Sequence, residues 1–243
     1  MNRNAYLSPA MATAYMPPPA DRLLALPLFE GMGPTALARI AAGAHDVVAV
    51  SGTVIFRRGD PCRGLYIVDS GQVKLALQTP QGDEKVVEVV GPGGIFGETA
   101  LFLDRPHMLV AESLTNTRVV FVAKATVLEE LDHTSGFTRA MIANLSRRLQ
   151  YLFGALEDCT LRTGTERVIG YLLNRVAPDA HNGNAIVTLP TKKGIIASQL
   201  NLTHEHFSRI LHGLVMSGMI EVDGRDVRLP DLGRLHARLN GAG

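Results

Sequence analysis

The chain has 243 residues, 46% of them hydrophobic and 19% charged, enough for roughly two domains with real cores. Two cysteines, Cys62 and Cys159, are too few for a disulfide scaffold or a four-thiolate iron–sulfur cluster. The formal net charge of +1 is unevenly spread: 14 basic against 16 acidic residues up to Cys159, and 10 against 7 from Thr160 onward, where five of the eight histidines also lie. A mildly basic C-terminal part suits phosphate contact. Residues 1–20, rich in Ala, Met and Pro, read as a flexible arm; Pro9 and Pro17-Pro18-Pro19 interrupt it, so no signal peptide is expected. No apolar run approaches the ~20 residues of a membrane span, and a cytoplasmic protein with reduced thiols is expected.

From Asp21 the pattern predicts short helices, with Pro34 opening the second after a Gly31–Gly33 break. Between Asp46 and Val122 the texture changes to short β-branched runs (VVAV, TVIF, LYIV, VKLAL, KVVEVV, RVVFV) separated by glycines, which indicates a small all-β barrel or sandwich. Gly82-Asp83 reads as a hairpin tip. A long helix is expected from about Gly136. Along it Leu145, Leu149, Leu152, Leu156 and Cys159 repeat at spacings of 4, 3, 4 and 3, the seam of a coiled coil, whereas Arg147, Arg148, Gln150 and Glu157 fall off the seam. That pattern points to a homodimer.

The rest predicts an amphipathic helix over Thr165–Val176, a polar loop over Pro178–Asn184 and a strand over Ile186–Leu189. Residues 195–218 (IIASQLNLTHEHFSRILHGLVMSG) read as two short helices around a tight turn, followed by a hairpin at Asp223-Gly224-Arg225: a winged helix-turn-helix. On its second helix Glu205, Ser208 and Arg209 share a face at i, i+3, i+4 spacing. Glu accepts from the cytosine amino group and Arg pairs with guanine O6 and N7, so these three are the candidate base readers on double-stranded DNA. Lys192, Lys193, Thr203, His204, His206 and Arg225 are candidates for the DNA backbone or its flanks. The fold class is α+β, with a sensor domain over 21–132, a dimerisation helix over 133–160 and a DNA-binding domain over 161–243.

In these motifs the chain resembles the Crp/Fnr superfamily of bacterial transcription regulators. The resemblance runs from Leu23 to Leu229 and is carried by Gly-Leu-Tyr-Ile-Val-Asp-Ser-Gly-Gln-Val-Lys at 64–74, Gly-Ile-Phe-Gly-Glu at 94–98, and the helix from Thr203 to Leu211. It implies a cyclic-nucleotide-binding-type β-roll (jelly roll), and contact with RNA polymerase. Glu205 followed by Ser208 and Arg209 resembles the Fnr branch, which implies an inverted repeat of TTGA-like half-sites. The run Phe-x-Glu-x-x-x-Phe-x-Asp-x-Pro at 96–106 resembles the Dnr-type regulators of denitrification, thought to sense nitric oxide through haem.

Gly97, Glu98, Arg105, His107 and Met108 form the candidate effector pocket. The resemblance assigns the Glu to a ribose hydroxyl and a following Arg-Ser/Thr to the phosphate of a cyclic nucleotide. His107 and Met108 stand where that Arg and Ser are needed, so a cyclic nucleotide is not the expected effector, and Glu98 is expected to serve backbone amides. The N-terminal cysteine cluster of an oxygen-sensing Fnr is absent, which excludes its iron–sulfur cluster. If haem b is bound, His107 is the first candidate metal ligand, with His45 and His133 behind it. Cys159 reads as a small packed residue, with a thiol switch as the alternative. No catalytic constellation is present: a cupin-like enzyme needs a strand-borne His-x-His, which the β-rich region lacks.

Overall fold

The computed structural model describes residue 18 and residues 20–79, 81–177 and 183–239. Most of the expected N-terminal arm (1–17 and 19) and most of the loop at 178–184 lie outside the described residues. The chain divides into two compact units, Met1–Arg148 and Leu149–Gly243, and the boundary falls inside one long helix.

The first unit opens with α1 (Ala20–Leu24), a 3-10 turn (Pro27–Phe29) and α2 (Pro34–Ala42). Eight strands follow: β1 (Ala44–Ala49), β2 (Val54–Phe56), β3 (Gly64–Ser70), β4 (Val73–Gln78), β5 (Glu84–Val90), β6 (Ile95–Phe96), β7 (Val110–Ser113) and β8 (Thr117–Ala123), with α3 (Glu98–Phe102) between β6 and β7. They form two antiparallel sheets, in the orders β1-β8-β3-β6 and β2-β7-β4-β5. Successive strand side chains face opposite ways, and here both faces of the first sheet are covered. Leu65 and Ile67 of β3, with Val120 and Val122 of β8, join a core built with the helices. Val68 and Val119 join the core between the sheets with Phe56, Leu75 and Phe96. Strands buried on both faces read as continuous apolar runs, which is why they were legible.

β6 and β7 were not expected. β6 has two residues, and β7 (Val-Ala-Glu-Ser) offers one β-branched residue, so neither carries a pattern. α4 (Lys124–His133) and α5 (Ser135–Leu161) complete the unit, with Phe137 and Met141 of α5 buried in the helix-side core and Phe29 and Phe137 stacked at 6.2 Å. The hairpin tip lies where predicted, between the antiparallel β4 and β5.

The second unit contains α6 (Gly164–Leu173), β9 (Ala185–Thr188), α7 (Lys193–Gln199), α8 (His204–Met216), β10 (Glu221–Asp223), β11 (Asp226–Leu229) and α9 (Leu232–Leu239). α6 starts on a complete capping box. The Thr163 amide donates to Glu166 Oε2 at 2.7 Å, and the Glu166 amide donates to Thr163 Oγ1 at 3.3 Å. The three strands form an antiparallel sheet in the order β10-β11-β9. One apolar core, including Ile169, Val187, Ile196, Phe207, Leu211, Val227 and Leu235, binds these elements, and half-buried Val222 of the thin β10 edge packs against it. The α+β architecture is therefore a β-roll and a winged helix-turn-helix. No helix among the described residues is long and apolar enough to cross a membrane.

Candidate DNA-reading helix and effector cavity

The two helices of the second unit are joined by a turn in which Asn201 takes φ +55°, a left-handed conformation that Asn tolerates better than most residues. α8 then starts on Thr203, whose Oγ1 accepts from the His206 amide at 3.1 Å. Phe207, Ile210, Leu211 and Leu214 point into the core, so the helix cannot turn about its axis. Glu205 and Arg209 are exposed and Ser208 is half-buried beside them. The structure thus brings the three predicted base readers together on the outer face of one helix. Thr203, His204 and His206 are exposed at its first turn, and Lys192 and Lys193 lie at the start of α7, Lys192 exposed and Lys193 half-buried.

Arg225 has a different setting. It sits in the wing turn, where Gly224 takes φ +58°, and its Nε and Nη2 both donate to the Leu189 carbonyl at 2.9 and 2.6 Å. It ties the wing to the end of β9 as well as presenting charge. Arg238 of α9 was not anticipated. It lines an open groove of about 610 Å³ with His206 and Arg209, and nothing in the spacing of residues 232–239 signals that position.

In the first unit, Gly97, Glu98, Arg105, His107 and Met108 do surround one cavity, of about 230 Å³, together with Phe56, Leu75, Leu109 and Arg148. Gly97 takes φ +93° and its α-carbon faces the Gly64 carbonyl, where a Cβ would come within 3.3 Å, so the turn that aims Glu98 inward requires glycine. Glu98 is fully buried. Its partner is the Arg148 guanidinium rather than backbone amides: Nη1 pairs with Glu98 Oε1, and Nη2 lies 2.9 Å from Glu88 Oε2. Glu98 Oε2 has no hydrogen-bond partner. Burial pushes the Glu88 carboxyl up from its ordinary range, against the pull of Arg148.

The heptad register places Arg148 off the dimer seam and says nothing of what it faces; the structure directs its guanidinium to Glu88 and Glu98 of the β-roll. Arg105 is exposed and Met108 is 59% exposed, whereas His107 is buried.

The His107 ring stacks on Phe56 with centroids 3.7 Å apart and 8° between planes. Its backbone is pinned by hydrogen bonds from its amide to the Asp60 carbonyl (2.9 Å) and from the Gly59 amide to its own carbonyl (2.7 Å). Burial lowers its pKa, so the ring is neutral at pH 7. His45 packs on Phe121, and exposed His133 contacts the Glu129 carbonyl through Nδ1. Neutral imidazole suits iron, but haem does not fit here. The cavity is smaller than the about 300–1,000 Å³ of ordinary ligand sites, and one face of the His107 ring is covered by Phe56. Among the described residues no cluster of three or more His, Cys, Asp or Glu could hold a metal ion.

The sulfur of Cys62 approaches the Gly64 and Gly97 carbonyls at 3.6 and 3.7 Å, and burial raises its pKa. Leu149, Leu152 and Leu156 are exposed, with Ile142 and Phe153 beside them, Leu145 is half-buried, and Cys159 is exposed.

Residues 47–134 match the family model of the cyclic nucleotide-binding domain, and residues 166–238 match that of the Crp-like helix-turn-helix domain. The chain is 27% identical to the CRP-like cAMP-activated global transcriptional regulator of Mycobacterium tuberculosis, over 87% of this chain and 95% of that protein. It is 25% identical to the transcriptional activator protein FnrA of Stutzerimonas stutzeri, over 79% of each chain. Its structure is similar to that of FixK2 from Bradyrhizobium japonicum, with a TM-score of 0.69, 25% identity, and coverage of 79% of this chain and 96% of that one. With a β-roll and a winged helix that each match their model, the chain belongs to the Crp/Fnr family of DNA-binding transcription regulators, which are not enzymes.

Proposed function

We propose that the protein is a homodimeric regulator that binds a palindromic, TTGA-like operator, with Glu205, Ser208 and Arg209 at base edges. The observation that carries this is the outer face of α8, where those side chains project from a helix fixed by buried Phe207, Ile210, Leu211 and Leu214. Lys192, Lys193, Thr203, His204, His206 and the free part of Arg225 contact the backbone. The apolar stripe Ile142, Leu145, Leu149, Leu152 and Leu156 at heptad spacing forms the dimer seam, with Cys159 continuing it, and two-fold symmetry of the protein matches that of the operator. Contact with RNA polymerase and action in the cytoplasm are part of this reading, supported by resemblance to the family alone. A gel-shift titration with a TTGA inverted repeat tests the reading. We expect binding at least 10³-fold tighter than to a scrambled duplex, the lower end of ordinary specificity ratios; equal affinity for both removes the assignment of the bases.

The signal acts at the β-roll cavity and shifts the balance between two states of the regulator. A cyclic nucleotide is the competing effector, supported by Gly97 and Glu98. His107, Met108 and the ion-paired Arg148 weigh against it. Control by nitric oxide through haem rests on the Dnr-type resemblance and on His107 as the buried imidazole of the cavity, and it needs His107 to leave Phe56 and the cavity to widen. The absorption spectrum of the protein after haem reconstitution decides it: without a Soret band, that route is closed.

A further inference from the structure

We propose that Arg238 of the C-terminal helix α9 holds a phosphate of the operator backbone, on the flank of α8 opposite Lys192 and Lys193. This rests on the reading that α8 lies against base edges. Three observations carry it.

The first is the layout of α8. At the helical repeat, His204, Ser208 and Val215 fall along one flank and His206, Gly213 and Ser217 along the other, with Glu205 and Arg209 between them. The His204 flank faces α7: a Cβ on Gly194 would lie 3.7 Å from the His204 ring. The His206 flank faces the start of α6, where a Cβ on Gly164 would lie 3.3 Å from the His206 ring. A helix about 10–12 Å across fills a major groove about 12 Å wide, so each flank lies beside one phosphate strand. Lys192 and Lys193 serve the strand on the α7 side. The second observation is what stands on the other side. The open groove there, of about 610 Å³, is lined by buried Ile210 and Leu214 and by Thr165, His206, Arg209 and Arg238. With Arg209 turned to the bases, exposed Arg238 is the guanidinium left to meet the second strand. The third is charge. Among the described residues, the ion pairs of this unit engage Arg162 and Arg228, and Arg238 forms none. The Glu166 carboxyl is held below its ordinary range first by its hydrogen bonds with Thr163 and also by Arg238, yet it serves as the cap of α6 and accepts from the Thr163 amide. An exposed guanidinium beside a phosphate gains by releasing condensed counterions and reads no base.

Fluorescence anisotropy of a labelled TTGA inverted repeat and of a scrambled duplex, each titrated with the full-length protein over a series of salt concentrations, tests it. R238Q should weaken binding to both duplexes by the same factor, and should make the dependence of log Kd on log salt shallower by about 0.9 for each bound protomer. R238K keeps the charge and should keep the parent's slope. Arg238 is exposed, so the unfolding of both variants should match that of the parent. A slope in R238Q equal to the parent's overturns the proposal. So does a loss confined to the operator, which would make Arg238 a base reader. An R238K slope as shallow as that of R238Q overturns it too, since charge would not be the cause. The parent gives a second measurement that needs no variant. Uncharged methylphosphonates placed one at a time along the duplex should lower its affinity on both strands that border the major groove, and losses on one strand only overturn the proposal. Failure of the parent to bind either duplex would remove the reading of α8 itself, whereas parent binding with an unaltered R238Q slope removes this inference alone.

Discussion

The β-roll and the winged helix treat charge in opposite ways. The β-roll buries it: Lys74 between Glu84 and Glu112, Glu130 under Arg39, and Glu98 against Arg148. In the winged-helix unit no carboxylate, ammonium, guanidinium or imidazole among the described residues is buried; its core is apolar and its charges lie on the surface. Buried ion pairs contribute little net stability but are costly to break singly, so an interior that holds them responds sharply to a change in one partner. An apolar core does the reverse and holds a reading surface still. The β-roll interior is thus the easier of the two to perturb, and the apolar core of the winged helix holds its outer face still.

Removing one side of a buried pair should break the comparison most strongly. Arg148→Ala leaves Glu98, and partly Glu88, uncompensated, and should lower the stability of the β-roll by about 3–5 kcal/mol. Leucine at 98 with methionine at 148 (E98L/R148M) should recover most of that loss, because the penalty belongs to the stranded charge. Urea unfolding measures both. In the other unit, Arg228→Ala removes an exposed pair with Glu221 (3.3 Å) and should leave its unfolding unchanged. If Arg148→Ala unfolds like the parent, the triad carries no such tension.

The reading surface should show its effect in recognition rather than in folding. Arg209→Ala should cost roughly 1–3 kcal/mol of discrimination at one guanine, with unaltered unfolding, since the side chain is exposed. Equal weakening on operator and random DNA would reassign Arg209 to the phosphates.

The same contrast explains what could be read in advance. The winged helix was legible because local signals agree: apolar spacing at Phe207, Ile210, Leu211 and Leu214, a capping threonine, and a Gly turn in the wing, each acting within a few residues. The strands with long β-branched runs were legible for the same reason. The cavity's defining contact was not. Arg148 and Glu98 are fifty residues apart and meet only because α5 packs against the β-roll, and a helix pattern distinguishes seam from non-seam without saying what a non-seam arginine faces. β7 and the role of Arg225 at the Leu189 carbonyl were hidden likewise, since both are set by partners distant in the chain.

Within the reading unit, the hydroxyl of Thr203 is the local feature most exposed to test. Thr203→Ala removes the cap on the His206 amide and should cost about 1 kcal/mol in the winged helix while leaving the β-roll transition in place. An unchanged midpoint would mean that the turn at Asn201 alone fixes the start of α8.

The smallest effect sharpens the comparison through pH. His107 has a pKa below its ordinary value because burial disfavours the imidazolium, outweighing the nearby Asp60. Above about pH 6.5 the ring is neutral in both folded and unfolded chains and its contribution to stability is complete. As pH falls below that value the unfolded chain takes up the proton first, so the contribution is lost progressively toward the lower folded pKa. Glu88 has the opposite sign and Glu130 acts lower on the scale, so the quantity to follow is the stability difference between the parent and His107→Gln, which cancels both. That difference should shift against the parent between pH 7 and pH 5. A parent-minus-variant difference that stays constant would mean that water reaches the His107 ring in the folded protein, and the cavity would then have to be reckoned as wet.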